Sequence, residues 1–323
     1  MISEVIKTSQ PLIHTMLGNE LANDKLPHAF LISGNDLVLK KQLAILLAQS
    51  IIENNKGFAC ESCTTCKRVN ENSYIDFIYI DGNKESIKKE AIEAIQTQFS
   101  KQAVEKANKK VYIINAIENT TIPGLNSLLK FLEEPNGETT FAILITNNIN
   151  KLLPTIVSRC QQINLKPSKY NDIFNKYNDL VEDSLKAHYL ARVLKYYDET
   201  MINNDEFEIS FEYLHYFNDY IIKDLDYFLY LVESKLITLQ DKGREILVIK
   251  YLLNMMYSYC KDIILKTNIN DDWYNKGVYN LEKIKLENIM FQILNCLDNI
   301  NKIYDHKLVF ESLIYKIKGE LYE

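Results

Sequence analysis

The sequence is poor in glycine and proline, with 9 and 6 respectively among its 323 residues. This scarcity is typical of a soluble chain that favours helix. No apolar run approaches the roughly 18 residues that a membrane-spanning helix needs, and the first residues lack the features of a secretory signal. A net charge of −6 argues against a generally basic surface that would bind nucleic acid or other polyanions. We therefore expect a cytoplasmic protein without a membrane partner, whose contacts with nucleic acid are local or shared with other subunits.

Cysteines are also few, six in all, which argues against a disulfide framework in a chain of this length. Three of them, Cys60, Cys63 and Cys66, lie in the segment CESCTTC. Two successive C-x-x-C steps allow thiolates to converge on one tetrahedral metal ion, so we expect a structural Zn²⁺. A structural site normally has four ligands. Glu53 and water are candidates for the fourth, and three thiols without any metal are the alternative.

The first 166 residues alternate short apolar segments with amphipathic helices, and the cysteine segment forms an insertion at about 53–72. This alternation predicts an α/β fold, a parallel sheet with helical crossover connections. Helices are expected at Lys84–Ser100 and Ile122–Glu134, the second ended by Pro135 and Gly137. The predicted strands are Ala29–Ser33, Phe77–Asp81, Val111–Asn115, Phe141–Thr146 and Cys160–Leu165.

Helical periodicity replaces this alternation after residue 166. A polar stretch, Glu199–Glu206, is the best internal break, so we expect a small helical part over 167–206 and a larger one over 207–323. The 21 tyrosines, many of them in the last part, are expected to pack helices together. The predicted helices are Ile173–Tyr177, Leu185–Leu194, Phe211–Leu236, Ile246–Leu265 and Ile284–Ile303.

Residues 30–51 have the strand–turn–helix frame of a phosphate-binding loop. The pattern G-x-x-x-x-G-K-[ST] finds Gly34 and Lys40 in place. Leu39 stands at the second glycine, where a side chain fills the space in which backbone N–H groups surround a phosphate. Lys41 stands where a hydroxyl would bind magnesium. An ordinary strand–turn–helix is the alternative for this stretch taken alone.

The strand that would supply the acidic residues of such a site ends in Asn115 and Ala116. ATPases of this class carry acidic residues there, which hold magnesium and activate water. Glu118 follows three residues after Asn115, too far along to replace them. Because two separate parts of one ATP site are missing, we expect neither productive ATP binding nor hydrolysis by this chain.

Two further segments carry charged residues of interest. NSLLKFLEEPNG is an amphipathic helix that ends in Glu133 and Glu134, where the helix dipole disfavours negative charge. That position suggests partners for the two carboxylates, although a solvated helix end is the commoner explanation. Ser158, Arg159 and Cys160 precede a buried strand, and a guanidinium has the rigid fork that suits phosphate oxygens.

Taken in order, these segments resemble the clamp-loader branch of bacterial AAA+ proteins. LLKFLEEP followed about two dozen residues later by SRC is specific to clamp loaders. The resemblance covers about half of the chain, and beyond residue 166 only helical character and length match. The matching pieces are LPHAFLISG, the CESCTTC insertion, KKVYIINAIENTT, LNSLLKFLEEPNGETTFAILITNN and LLPTIVSRCQQINL.

The resemblance implies an AAA+ α/β domain with a zinc module over 1–166, a helical lid over 167–206 and a helical collar over 207–323 for oligomerisation. It implies a delta prime type of subunit in the DNA polymerase III holoenzyme, without catalytic activity of its own. Such a subunit helps to load a sliding clamp onto primed DNA. Its partners would be gamma/tau-type ATPase subunits, a delta subunit, the sliding clamp and, through the assembled complex, the DNA.

The resemblance also assigns roles to residues. Arg159 would be an arginine finger that reaches into the ATP site of an adjacent ATPase subunit, with Ser158 and Cys160 as its motif. The three clustered cysteines align with three of the family's four zinc cysteines. The fourth position falls at Ser50, Ile51 or a nearby residue, which departs from the family's pattern.

Two other functions compete with this one. An active gamma/tau-type clamp-loader ATPase shares the zinc module and the SRC motif but requires an intact phosphate loop. The other competing function is a zinc-dependent DNA-binding module without clamp-loader partners, and the net charge of −6 argues against it.

Overall fold

The computed structural model of the chain divides into two compact units, Met1–Ser168 and Lys169–Glu323. Among the described residues, every helix is too short or too polar to cross a membrane. The predicted division of the helical part near residue 206 remains a prediction. The structure describes residues 1–133, 139–221, 223–267, 269, 271–281, 286–300 and 305–322.

The first unit alternates strands and helices, and this confirms the predicted α/β class. Its strands are β1 (Ala29–Ser33), β2 (Phe77–Asp81), β3 (Lys110–Asn115), β4 (Thr140–Ile145) and β5 (Gln161–Asn164). Its helices are α1 (Ile2–Ser9), α2 (Pro11–Ala22), α3 (Leu37–Glu53), α4 (Thr64–Asn70), α5 (Lys89–Phe99), α6 (Ile122–Glu133) and α7 (Pro154–Val157).

The strands form one parallel five-stranded sheet in the order β2-β3-β4-β1-β5. Every predicted strand is confirmed to within one residue at each end. Because all strands run in the same direction, their carboxyl ends meet at one edge of the sheet. Gly34, Asn115 and Thr146 each follow or end a strand at this carboxyl edge, so segments distant in sequence are brought to one place.

Helices cover both faces of the sheet, since neighbouring residues of each strand point to opposite sides. Phe30 and Ile32 of β1 pack with Leu43 and Leu47 of α3 on one face. Leu31 packs on the other face, in a cluster that includes residues of α5 and α6. This double burial explains the nearly continuous hydrophobicity of β1, β3 and β4.

The predicted helix from Lys84 begins five residues late, at Lys89. Ile87 instead forms a parallel bridge with Thr120, and its N–H donates to the carbonyl of Asn119 at 3.2 Å. The end of the other predicted helix, at Glu134 with Pro135 and Gly137, lies outside the described residues.

The second unit is helical. The predicted single helix Phe211–Leu236 is wrong, because the chain turns between Tyr220 and Leu225 and Asp224 caps a new helix by accepting the N–H of Tyr227 at 3.0 Å. The ends of the predicted helix Ile284–Ile303 lie outside the described residues. The helices are α8 (Tyr170–Asn178), α9 (Ser184–Leu194), α10 (Asp205–Tyr220), α11 (Leu225–Leu239), α12 (Lys242–Ile264), α13 (Asp272–Leu281), α14 (Leu286–Asn299) and α15 (His306–Tyr322).

Tyrosines fill much of the core of the helical unit. Tyr177, Tyr189, Tyr259 and Tyr274 are each at most 1% exposed and lie in a single hydrophobic cluster. This burial confirms, for these four residues, the prediction that tyrosines pack helices together.

One buried carboxylate joins two helices of this unit. Asp262 of α12 is fully buried, and its Oδ2 lies 2.7 Å from Nε2 of His188 on α9. Its other oxygen accepts from Arg192 Nη2 at 2.7 Å and from the Thr267 hydroxyl at 3.1 Å. The buried charge is therefore satisfied by several donors at once.

Candidate functional site

Gly34 follows β1 with a φ of +139°. A Cβ at this position would lie 2.9 Å from both the Cβ and the carbonyl oxygen of Leu165, so the close approach of β1 and β5 requires glycine. Asp36 then caps α3, and its carboxylate accepts the N–H of Leu39 at 2.8 Å. In a phosphate-binding loop, N–H groups of this first turn bind the phosphate. Here an internal carboxylate takes that role.

Lys40 is turned inward and is only 1% exposed. Its Nζ donates to the carbonyl of Thr146 at 2.9 Å and to Oδ1 of Asn147 at 2.6 Å. Burial lowers the pKa of this ammonium, while the nearby carboxylates of Glu118 and Asp36 act to raise it. The lysine of the phosphate-loop pattern is thus held by protein groups beyond the end of β4.

Glu118 completes this network, although the sequence spacing places it too far along to replace the missing acidic residues. Its carboxylate accepts the hydroxyl of Thr146 at 2.9 Å and the N–H of Asn147 at 3.0 Å. Ala116, with a φ of +52°, starts a 3-10 turn over Ile117–Asn119 that brings Glu118 back to the carboxyl edge. Glu118 therefore lies at the carboxyl edge of the sheet, beside Thr146 and Asn147, although it follows β3 by three residues.

The other expected site residues also have internal partners. Asn115 donates from Nδ2 to Oδ1 of Asp81 on the neighbouring strand at 2.9 Å. Lys41 Nζ lies over the ring of Tyr79, 5.4 Å from its centroid. Neither residue supplies the carboxylate or hydroxyl oxygen that magnesium would need.

The three cysteines of the insertion converge on Glu53, the last residue of α3. Its Oε1 lies 3.2 Å from Sγ of Cys60, 2.7 Å from Sγ of Cys63 and 3.1 Å from Sγ of Cys66. The four ligand atoms all lie within 4.8 Å of one another. This convergence identifies Glu53 as the group that stands in the fourth position of the cluster.

The donor set suits a tetrahedral Zn²⁺, which accepts thiolate and carboxylate ligands. Hydrogen bonds from the thiols of Cys63 and Cys66 outweigh the effect of burial and lower the pKa of Glu53. Burial, together with this carboxylate, raises the pKa of Cys66, and the Glu53 hydrogen bond raises that of Cys63. Backbone N–H groups lower the pKa of the Cys60 thiol. The thiol protons thus hold the Glu53 carboxylate close to the three sulfur atoms. A cation bound among these four side chains would replace the thiol protons.

The positions suggested by alignment with the family, Ser50 and Ile51, take no part in this cluster. The hydroxyl of Ser50 donates to the carbonyl of Leu46 at 2.7 Å and accepts the N–H of Ala59 at 2.9 Å. Ile51 is 2% exposed and packs in the core. Asn54, with a φ of +52°, ends α3 just after Glu53 and lets the chain turn towards the cysteines.

The cysteine loop is also attached to the first two helices. Glu61, between two of the cysteines, accepts the N–H groups of Ile2 and Ser3 at 2.6 and 2.9 Å and so caps α1. The ring of Phe58 stacks on His14 of α2 with centroids 4.6 Å apart. The conformation of the loop and the position of these helices are therefore linked.

Arg159 lies at the surface, just before β5. Its side chain is 34% exposed, and its Nη2 lies 2.5 Å from Oε1 of Glu133. Its Nη1 donates to the carbonyl of Thr155 at 2.9 Å. The neighbours in the motif differ, since Ser158 is exposed while Cys160 is buried, and burial raises the pKa of its thiol to about 12.

Arg159 and the phosphate-loop frame lie at opposite edges of the sheet. Arg159 precedes the amino end of β5, whereas Gly34 follows the carboxyl end of the adjacent parallel strand β1, where Ser33 pairs with Asn164. The four residues of β5 span about 13 Å. Arg159 therefore precedes the end of β5 that is opposite to the end beside the phosphate-loop frame of its own chain.

A parallel sheet in this order, with a phosphate-loop frame at its carboxyl edge, makes the first unit an AAA+-like α/β module. Residues 9–169 match the sequence model of the family described as "DNA polymerase III, delta subunit". Through these residues the chain belongs to that family.

Two individual relatives are also subunits of DNA polymerase III. The delta' subunit of DNA polymerase III from Bacillus subtilis is 40% identical over 186 residues, which cover 57% of this chain and 55% of that protein. The gamma/tau subunit from Mycoplasma genitalium is 32% identical over 175 residues, or 54% of this chain and 29% of that protein. The matched stretch thus spans about half, or less, of the length of these relatives.

Among solved structures, the gamma subunit-related protein of DNA polymerase III from Thermotoga maritima aligns over 96% of this chain and 99% of its own. The TM-score is 0.46 and the identity is 15%. A likeness at this level adds nothing to the assignment above.

Proposed function

We propose that this chain is a non-hydrolysing delta prime-type subunit of a DNA polymerase III clamp loader. It helps to load the sliding clamp onto primed DNA together with gamma/tau-type ATPase and delta subunits. It binds no ATP productively, and it lends Arg159 in trans to the ATP site of a neighbouring ATPase subunit.

The opposite locations of Arg159 and the phosphate-loop frame carry this proposal. An arginine that is exposed at the amino edge of the sheet is accessible to a second subunit, since its guanidinium side chain is 34% exposed. A guanidinium delivered across a subunit boundary stabilises the charge that develops on a transferred phosphoryl group. Arg159, with Ser158 and Cys160 as its motif, would therefore act in the neighbour's reaction.

The internal contacts of the candidate pocket support the absence of ATP binding. Lys40 would have to leave both Thr146 and Asn147 before it reached a phosphate. Asp36 would place its carboxylate beside the phosphates, at the N–H of Leu39. Both contacts oppose an anionic ligand. The first does so because the ammonium is buried as well as bound by two acceptors, and the second does so by repulsion.

We further propose that Cys60, Cys63, Cys66 and Glu53 hold one structural Zn²⁺. The ion would supply rigidity to the loop rather than catalysis, because all four ligands come from the protein. Bound to these side chains, it would fix the loop that caps α1 through Glu61.

Reconstitution tests the proposed function. We expect the chain to co-purify with the ATPase and delta subunits of its own clamp loader, and the DNA- and clamp-dependent ATPase activity of that assembly to require it. The purified chain alone should bind no Mg²⁺–ATP in a calorimetric titration. Failure to assemble, or an assembly whose ATPase rate is the same without this chain, would refute the proposal.

An active gamma/tau-type ATPase is the second candidate, favoured by the identity to gamma/tau relatives. Tight, magnesium-dependent ATP binding by the isolated chain would support this alternative. A zinc-dependent DNA-binding module would instead show DNA affinity that falls steeply with salt in the absence of partners.

A further inference from the structure

The two segments that are specific to clamp loaders in the sequence, LLKFLEEP and SRC, meet in the structure. Glu133 of the first and Arg159 of the second are 26 residues apart in sequence, yet Glu133 Oε1 and Arg159 Nη2 are 2.5 Å apart. Glu133 ends α6, where the helix dipole disfavours a negative charge. The guanidinium supplies the positive partner that this position needs.

The contact fixes the direction of the guanidinium. Arg159 Nη1 is held by the backbone carbonyl of Thr155 at 2.9 Å, and Nη2 is held by Glu133. Two contacts to different nitrogens of one planar group restrict its rotation about the end of the side chain. One of these contacts is made by backbone, so Glu133 is the side chain on which the orientation depends.

We propose that Glu133 is a positioning residue that orients Arg159 towards the phosphates of the neighbouring subunit. This inference rests on the proposed function, in which Arg159 acts in trans. An arginine on a long side chain loses rotamer freedom when it reaches a transition state, and a partner that restricts it beforehand lowers that cost. The carboxylate acts through Arg159 and touches no substrate itself.

The test measures ATP turnover of the reconstituted clamp loader with three variants of this chain. Arg159→Ala should lower kcat on the order of 10³-fold. Glu133→Ala should lower kcat on the order of tenfold and leave KM for ATP unchanged, because an ångström of misplacement can cost up to about 100-fold. Glu133→Asp, which keeps the carboxylate, should recover part of the loss.

A matched control separates this role from the loss of a surface charge. Glu93 forms a comparable exposed ion pair with Lys89 at 3.0 Å, and Glu93→Ala should leave kcat unchanged. If Arg159→Ala has no effect, the proposed function itself is wrong. If Arg159→Ala is slow but Glu133→Ala matches the wild type or exceeds it, only the positioning role is overturned.

Discussion

The two units of the chain place their buried polar groups in different settings, at one edge of a sheet and between helices. In the α/β unit, Lys40, Thr146 and Asp36 are buried near the carboxyl edge of the sheet, and each contacts a group from a distant segment. In the helical unit the core is filled largely by apolar side chains and tyrosines, with Asp262 as a buried charge. The family match covers residues 9–169 and so falls almost wholly in the first unit.

This difference shows what each unit requires of its sequence. The contacts at the carboxyl edge and in the cysteine loop need particular residue types at particular positions. Helix packing accepts many combinations of apolar and aromatic residues that fill a given volume. Recognisable motifs therefore concentrate in the unit that holds the candidate sites.

The largest expected difference between the two units follows from removing Cys66, a proposed zinc ligand that is fully buried in the α/β unit. We expect the wild-type chain to bind one Zn²⁺, and Cys66→Ser to bind none and lose several kcal/mol of stability in the α/β unit. Thiolate–Co²⁺ absorption reports on that unit, and the fluorescence of Trp273, the one tryptophan of the sequence, reports on the helical unit. Cys260→Ser is a control with a buried thiol in the helical unit. Metal content equal to wild type in Cys66→Ser would contradict the site.

A buried charge in the helical unit gives the next largest effect. Asp262→Ala should destabilise this unit by about 3–5 kcal/mol, because it leaves the Arg192 and His188 side chains without their carboxylate partner. Urea unfolding followed by Trp273 fluorescence measures the change. Asp226→Ala removes an exposed partner of Lys318 and should cost less than about 1 kcal/mol. Equal effects of the two substitutions would contradict the assigned role of Asp262.

Alkaline pH should also lower the stability of the two units by different amounts. Burial raises the pKa of Tyr170 and Tyr213 to about 12, and it raises those of Tyr177 and Tyr189 as well. Because these folded pKa values exceed the unfolded value of about 10, their contribution to stability is complete below pH 10 and declines above it. Each such tyrosine weakens the helical unit by up to about 1.4 kcal/mol per pH unit.

Urea titrations at pH 9, 10 and 11, followed by Trp273 fluorescence, measure this decline. In the α/β unit, burial raises the pKa of Tyr74 and Tyr79 to about 12 and raises that of Tyr112 as well. A smaller decline is expected there because fewer tyrosines are affected. If the stability of the helical unit stayed constant up to pH 11, the tyrosines would have the same pKa in the folded and unfolded states. That result would contradict the effect of burial on their pKa values.

The smallest expected effect concerns the cap of α1. Glu61→Gln should weaken the capping of Ile2 and Ser3 by about 0.5–2 kcal/mol. Hydrogen exchange of residues 2–9 should accelerate in this variant. Glu71→Gln alters an exposed glutamate after α4 and serves as the control. Unchanged exchange in Glu61→Gln would mean that packing alone holds the helix.

The sequence predicted the strands and the cysteine cluster, because continuous apolar runs and C-x-x-C spacing are local signals. It left the fourth ligand open, since the approach of Glu53 depends on the left-handed turn at Asn54. It gave no sign that Glu118 contacts Thr146 and Asn147, because counting along the chain takes no account of the 3-10 turn over Ile117–Asn119. The helix end suggested a partner for Glu133, but the identity of that partner, Arg159, depends on tertiary packing and has no local signal in the sequence.

The rate of ATP hydrolysis in the assembled clamp loader tests the central claim most directly, with Arg159→Ala compared against wild type at equal assembly. The account predicts turnover lower on the order of 10³-fold at the neighbouring site, although the altered chain still joins the complex. Turnover equal to that of the wild-type assembly would contradict it.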